Sequence, residues 1–222
     1  TLSSFQLGQN LVNQALWEDI MGNNPSYWKG KNRPVERVSW YDCVEFCNQL
    51  SKRMEIPPFY EINKEQQDPN NKNKYDDQKW LVKPIVGSNG FRLPTEAEWE
   101  FAARGGGVDF SYPYSGSQSL GKVGWYDENS FRKTHIGGLK LSNIWGLYEM
   151  SGHLLEWCWD WYSSYPNTQL KDPIGNISRQ DRVLRGGSWH NDEQYCGVAI
   201  RTYVYPDYRS YGIGFRLSRT AM

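Results

Sequence analysis

The stretch FRLPTEAEWEFAARGG, residues 91–106, reads as a helix with its own start and stop. Thr95 followed three residues later by Glu98 is a capping box, in which each side chain accepts a hydrogen bond from the other residue's backbone amide. Pro94 precedes it, and Gly105 with Gly106 supplies the left-handed conformation that ends helices. Glu96, Glu98 and Glu100 place three carboxylates close together, a grouping that could serve acid–base chemistry. In a first helical turn acidic side chains complement the helix dipole, and that structural role is the expectation here.

Outward from this unit the same signals recur. In LVNQALWEDIMGNNP (11–25) Val12, Leu16 and Ile20 have helical spacing, with Gly22 and Pro25 as stops. In SWYDCVEFCNQLSKRM (39–54) Ser39 and Asp42 predict a cap, and Cys43, Cys47, Leu50 and Met54 form one helical stripe. Residues 61–79, EINKEQQDPNNKNKYDDQK, are almost free of apolar side chains and predict a solvated excursion, an ordered loop or at most a short hairpin. Periodicity disappears from Gly106 to Asn143, whereas RVLRGGSW (182–189) and GIGFRL (212–217) are short strand candidates. Length, with no internal repeat or linker, predicts one loop-rich domain over 1–222.

Composition narrows the function. Lys and Arg total 25, as do Asp and Glu, so no global field draws nucleic acid or an anionic membrane. No apolar run approaches the roughly 20 residues of a membrane span. With 11 Trp and 15 Tyr against 38% hydrophobic residues, the core is expected to use few, large, amphipathic side chains. The cysteines show no CxxC or Cys/His ligand spacing; Cys43 and Cys47 read as buried small hydrophobes, and Cys158 and Cys196 as either a disulfide or two buried thiols. His135, His153 and His190 lie in no GxSxG or HExxH context.

FRLPTEAEWEFAARGG, NIWGLYEMSGHLLEWCWDWY, RVLRGGSW and the closing GFRL, with NPSYWKGKNRPVERVSWYDCVEFCNQLS upstream, occur here in one order. Together they resemble the formylglycine-generating enzyme (sulfatase-modifying factor) family over almost the whole chain. The resemblance implies an α+β fold, an elaborated C-type lectin-like fold that is loop-rich with little regular secondary structure. The family's enzymes use two cysteines after the GGS motif to bind copper and oxidise a substrate cysteine; the matching positions here are Asn191 and Cys196, and one thiol cannot supply a dithiolate site for Cu(I). The family also carries a structural calcium, whose matching positions are Glu149, Gly152, Leu154 and Glu156, with His153 where an asparagine is usual. No other cofactor is required.

Within that family the C-terminal stretch is similar to the variable proteins of diversity-generating retroelements, in which mutagenic reverse transcription randomises adenines, chiefly in AAY codons. The fixed framework of such segments is matched by Trp189, Cys196, Ala199, Arg201, Pro206, Asp207, Arg209, Gly214, Phe215 and Arg216. Between them stand His190, Asn191, Asp192, Tyr195, Gly197, Val198, Ile200, Thr202, Tyr203, Val204, Tyr205, Tyr208, Ser210, Tyr211, Gly212 and Ile213. Adenine changes in an AAY codon reach every one of these types and cannot reach Lys, Glu, Gln, Met or Trp, none of which occurs among them; Glu193 and Gln194 then count as framework.

Tyrosine offers large, rigid contact area, and Ser, Gly, Asn and Asp adaptable hydrogen bonds, so these positions have the composition of a binding surface. The resemblance therefore implies a non-enzymatic ligand-binding display protein with a variable region at 189–216 and a protein or glycan ligand. Its implied location is the bacterial cell surface, as an outer-membrane lipoprotein anchored upstream of Thr1. The alternatives are a copper-dependent formylglycine-generating oxidase or another enzyme of the same fold, and a paralogue that keeps the fold without diversification.

Overall fold

The computed structural model describes residues 1–107, 111–165, 167–174 and 180–221. In chain order these form strand β1 (Phe5–Leu7), helices α1 (Gln14–Met21) and α2 (Trp40–Arg53), strands β2 (Tyr60–Gln67) and β3 (Trp80–Pro84), and helices α3 (Glu96–Ala103) and α4 (Leu120–Val123). Strands β4 (Leu155–Trp161), β5 (Arg182–Arg185), β6 (Arg201–Val204), β7 (Ile213–Gly214) and β8 (Ser218–Thr220) follow. Helices and short strands joined by long irregular segments give the α+β, loop-rich architecture expected.

Both predicted capping boxes are present, at Ser39/Asp42 and Thr95/Glu98. Helix α1 begins after Asn13, whose side chain accepts from the Leu16 amide, and stops at Gly22 with φ 73°. Helix α2 ends at Met54; Cys43, Cys47 and Leu50 are buried, while Met54 emerges at the cap and is exposed. The stripe thus breaks where helical geometry does.

The four-stranded sheet runs β6-β5-β4-β7, with β4 antiparallel to β5, β5 antiparallel to β6, and β4 parallel to β7. Alternation across a strand sends successive side chains to opposite faces. Trp157 and Leu184 therefore join the cluster of α1 and α2, and their neighbours Cys158 and Val183 join that of α3. Helices on both sides leave β5 buried throughout. The aromatic core is hydrogen-bonded as well as packed: the Trp157 indole donates to the Val38 carbonyl at 3.0 Å and the Trp40 indole to that of Cys158 at 3.1 Å. Strands β1 and β8 pair antiparallel and join the two ends of the fold.

Two readings are refined. The polar stretch 61–79 takes the hairpin form, β2 pairing with β3, but it is not solvated throughout: in the turn Asn71, Asn73 and Asp76 are buried. Their side chains satisfy backbone amides locally, Asn73 accepting from the Tyr75 amide at 2.8 Å and Asp76 from those of Gln78 and Lys79. The α3 carboxylates do more than complement a dipole. Glu98 makes a bidentate pair with Arg92, Glu96 one with Arg201, and Glu100 contacts Arg104 and Arg185. All four Cys are free and buried, which resolves Cys158 and Cys196 as separate thiols.

Candidate functional site

Fixed side chains hold the backbone from Ser188 to Phe215. Arg185, fully buried, donates to the carbonyls of Val198, Ala199 and Ile200 at 3.0, 3.3 and 2.9 Å and is charge-balanced by Glu100. Arg201 binds both oxygens of Glu96 and the Ser163 carbonyl, with its guanidinium over the rings of Tyr162 and Tyr165. The Trp189 indole donates to the Tyr211 carbonyl at 3.0 Å. Arg209 grips Asp42 through two bonds of 2.8 and 2.9 Å, anchoring the segment to the first turn of α2. Backbone bonds from Trp40 to Pro206, Arg37 to Ser210 and Leu155 to Gly212 complete the attachment.

On this backbone the candidate side chains divide by burial. His190, Asp192, Tyr195, Ile200, Tyr203, Tyr208 and Tyr211 are exposed; Asn191, Gly197, Thr202, Val204, Tyr205 and Ser210 are half-buried. Val198, Gly212 and Ile213 are buried. Val198 packs with Trp99 and Val183, and Ile213 with the α1/α2 cluster, so both contribute to the core. A Cβ at Gly212 would fall 2.3 Å from the His190 ring, so this glycine makes room for that side chain. Although His190 is exposed as a residue, partial desolvation of its ring beside Gly212 lowers its pKa.

The exposed side chains gather around neighbours outside the segment, which composition did not reveal. Tyr211 stands 5.8 Å from Trp28 and 5.9 Å from Trp189, and Trp28 meets Trp189 edge to face at 4.9 Å. Tyr203 lies 4.1 Å from Tyr162, and Tyr205 packs between Tyr208 at 5.3 Å and Tyr75 at 5.9 Å. Gly197, Val198 and Ile200 line a depression of about 420 Å³ with Tyr114 and Gln194. A larger cleft of about 880 Å³ lies over α3, lined by Glu96, Glu100, Arg104 and Arg201, whose charges already pair with one another.

The positions matching the oxidase cysteines have other occupations. The Asn191 carboxamide accepts from the Ser188 amide and hydroxyl at 2.9 and 2.7 Å. Cys196 is fully buried and its thiol is pushed up to about 12 by burial, so at neutral pH it is not a thiolate.

Of the four residues expected to hold calcium, the two that would bring carboxylates, Glu149 and Glu156, are engaged with protein partners. Glu156 spends both oxygens on Arg216, at 2.6 and 2.7 Å, and accepts from the Trp99 indole at 2.8 Å, so a guanidinium occupies the face a cation would need. Glu149 accepts from the Gly138 amide at 3.0 and 3.1 Å and lies 3.7 Å from His153 Nδ1. His153 Nε2 accepts from the His135 amide at 3.0 Å. Leu154 and Gly152 are buried beside them. Among the described residues no three His, Cys, Asp or Glu side chains converge as a metal-ligating group.

The fold, with a buried scaffold and an exposed aromatic segment near its end, is of the C-type lectin-like class in its formylglycine-generating-enzyme form. Residues 5–221 match the Sulfatase-modifying factor enzyme 1-like domain, and the chain belongs to that family. It is 42% identical over 206 residues to Chaperone protein LppX of Paenibacillus barcinonensis, covering 85% of this chain and 70% of that one. To the Formylglycine-generating enzyme of Thermomonospora curvata it is 30% identical over 223 residues, 91% of this chain, and spans 60% of that enzyme's length. Treponema denticola variable protein 1 superposes with a TM-score of 0.88 at 37% identity, covering 100% of this chain and 86% of that structure.

Proposed function

We propose that this chain is a non-enzymatic ligand-binding display protein whose C-terminal segment is a surface diversified by a retroelement. The observation that carries the reading is the division of labour between 188 and 215. Arg185, Trp189, Arg201 and Arg209 hold the segment's backbone, whereas Tyr195, Tyr203, Tyr208 and Tyr211 are 51, 52, 38 and 50% exposed. A surface that must accept many sequences needs this arrangement, because recognition can then vary while folding does not. The likeness to a variable protein along the whole chain supports the same reading.

The ligand in this proposal is a protein or a glycan, met at the bacterial cell surface, with a lipid anchor upstream of Thr1 holding the protein to the outer membrane. No helix among the described residues is long and apolar enough to cross a membrane. The test is genomic: the DNA encoding residues 189–216 is expected to have a near-copy nearby, differing mainly at adenines, beside a reverse transcriptase gene. A locus without such a template would favour a paralogue that keeps the fold without diversification.

A further inference from the structure

The polar loop 68–79 is built to a standard that its surface position does not require. The Asp68 amide donates to the Lys79 carbonyl and closes it at 2.7 Å. Asp76, 1% exposed, accepts from the Tyr41 hydroxyl at 2.8 Å and the Asn71 carboxamide at 2.6 Å. The Asn73 carboxamide donates to the Gln180 carbonyl and the Asp181 carboxylate at 2.8 and 3.0 Å. The loop is also attached to the variable segment itself, the Asp77 amide donating to the Asp207 carboxylate at 2.8 Å.

What this scaffolding presents is Tyr75. Its amide is fixed by Asn73 while its side chain is 61% exposed, the ring lying against Tyr205. Tyr205 in turn meets Tyr208 edge to face. Around these rings stand Lys74, its ammonium 4.9 Å over Tyr75, and Asp77, Asp207 and Arg209. An aromatic centre with a charged rim on an open surface is the anatomy of a protein-binding patch, and a pre-ordered tyrosine adds contact area at small entropic cost.

We propose that Tyr75, outside the variable segment, is a constant contact residue of the ligand site, completing with Tyr205 and Tyr208 a patch that takes a protein surface. This rests on reading 189–216 as the ligand surface and extends it to a residue that diversification does not touch. Each variant of the segment then keeps one unchanging aromatic anchor, which hot-spot energetics favours at the centre of an interface.

The full chain, randomised at Tyr195, Tyr203, Tyr208 and Tyr211, is displayed and panned on immobilised lysozyme as protein probe and on mannan as glycan probe. Lysozyme binders are expected, and Tyr75→Ser introduced into them should weaken most by about tenfold or more, with Tyr75→Phe within about threefold of the parent. Lys72→Ser, on the same loop but with its ammonium on the Pro69 carbonyl and away from the Tyr75 patch, should change nothing and controls for loop disturbance. Equal melting of the Tyr75→Ser chain and its parent excludes unfolding as the cause. Binders indifferent to Tyr75→Ser overturn the inference and leave the variable surface standing. Binders to mannan alone overturn the assignment of a protein ligand. A folded library that yields no binder to either probe overturns the functional reading and this inference with it.

Discussion

Arg216 and Glu156 face each other, both fully buried, through two contacts of 2.6 and 2.7 Å, and the Trp99 indole adds a third bond to the same carboxylate. Arg216 also reaches the carbonyls of Gly8, Gln9 and Tyr148. One guanidinium thus ties the N-terminal segment, the irregular region before β4 and the C-terminal strands.

Removing one partner of such a pair leaves a buried charge uncompensated, at a cost of about 3–5 kcal/mol. Glu156→Gln is expected to lose that much in urea unfolding. Because the guanidinium already fills the carboxylate, millimolar calcium or a chelator should leave the melting temperature of the native chain unchanged. A calcium-dependent rise would mean that ion binds the folded state selectively.

Glu36 gives a pH signature. It accepts from the Tyr27 and Trp28 amides, yet burial dominates and raises its pKa to about 7, as it does for Asp160. The folded chain keeps these protons to about pH 7, while the unfolded chain releases them near pH 4. Between those values the folded state holds more protons, so the stability from these groups is full below pH 4 and is lost as pH rises towards 7. Glu149 and Asp172 have lowered pKa values and act oppositely, losing their contribution as pH falls below the usual carboxylate range. His135 and His190, whose pKa values desolvation lowers, also act oppositely between pH 5 and 7.5, so the share of Glu36 is read by difference. Relative to the native chain, Glu36→Gln should lose less melting temperature, or gain more, on going from pH 5 to pH 7.5; an unaltered profile would show that Glu36 does not carry this share.

What the sequence disclosed follows how local each cause is. The boxes at Ser39 and Thr95 are satisfied within three residues, so spacing alone revealed both helices. Glu96 pairs with Arg201, 105 residues away, and Glu100, besides its neighbour Arg104, with Arg185, 85 residues away; no local pattern encodes the distant pairings. A separation of 60 residues likewise hid Arg216 behind Glu156. Val198 and Ile213 stand between framework positions like the exposed residues and are reachable by the same codon changes, a pattern that carries no information on burial, so only packing distinguishes them. Trp28, Tyr75 and Tyr162 sit in other parts of the chain, and the fold alone brings them beside the tyrosines.

The oxidase alternative makes a direct prediction. With Asn191 bonded to Ser188 and Cys196 a buried, protonated thiol, incubation with Cu(I), oxygen and a cysteine-containing sulfatase peptide should form no aldehyde. Restoring a second thiol by Asn191→Cys should remain inactive unless Cys196 also becomes accessible. Turnover by the native chain would end the non-enzymatic reading.

The separation of scaffold from surface is tested by comparing two kinds of substitution within one segment. Simultaneous replacement of Tyr195, Tyr203, Tyr205, Tyr208 and Tyr211 by Ser should leave a folded chain. Exposed positions typically change stability by within about 0.5 kcal/mol each, and the larger losses should come from Tyr203 and Tyr205, which pack on Tyr162 and Tyr75. Ile213→Ala, a single change two residues from Tyr211, should cost about 2–5 kcal/mol, because its side chain is 3% exposed and sits in the main core. Thermal and urea unfolding rank the two variants directly. If the five-serine chain fails to fold while Ile213→Ala is tolerated, the tyrosines are structural and the display reading falls.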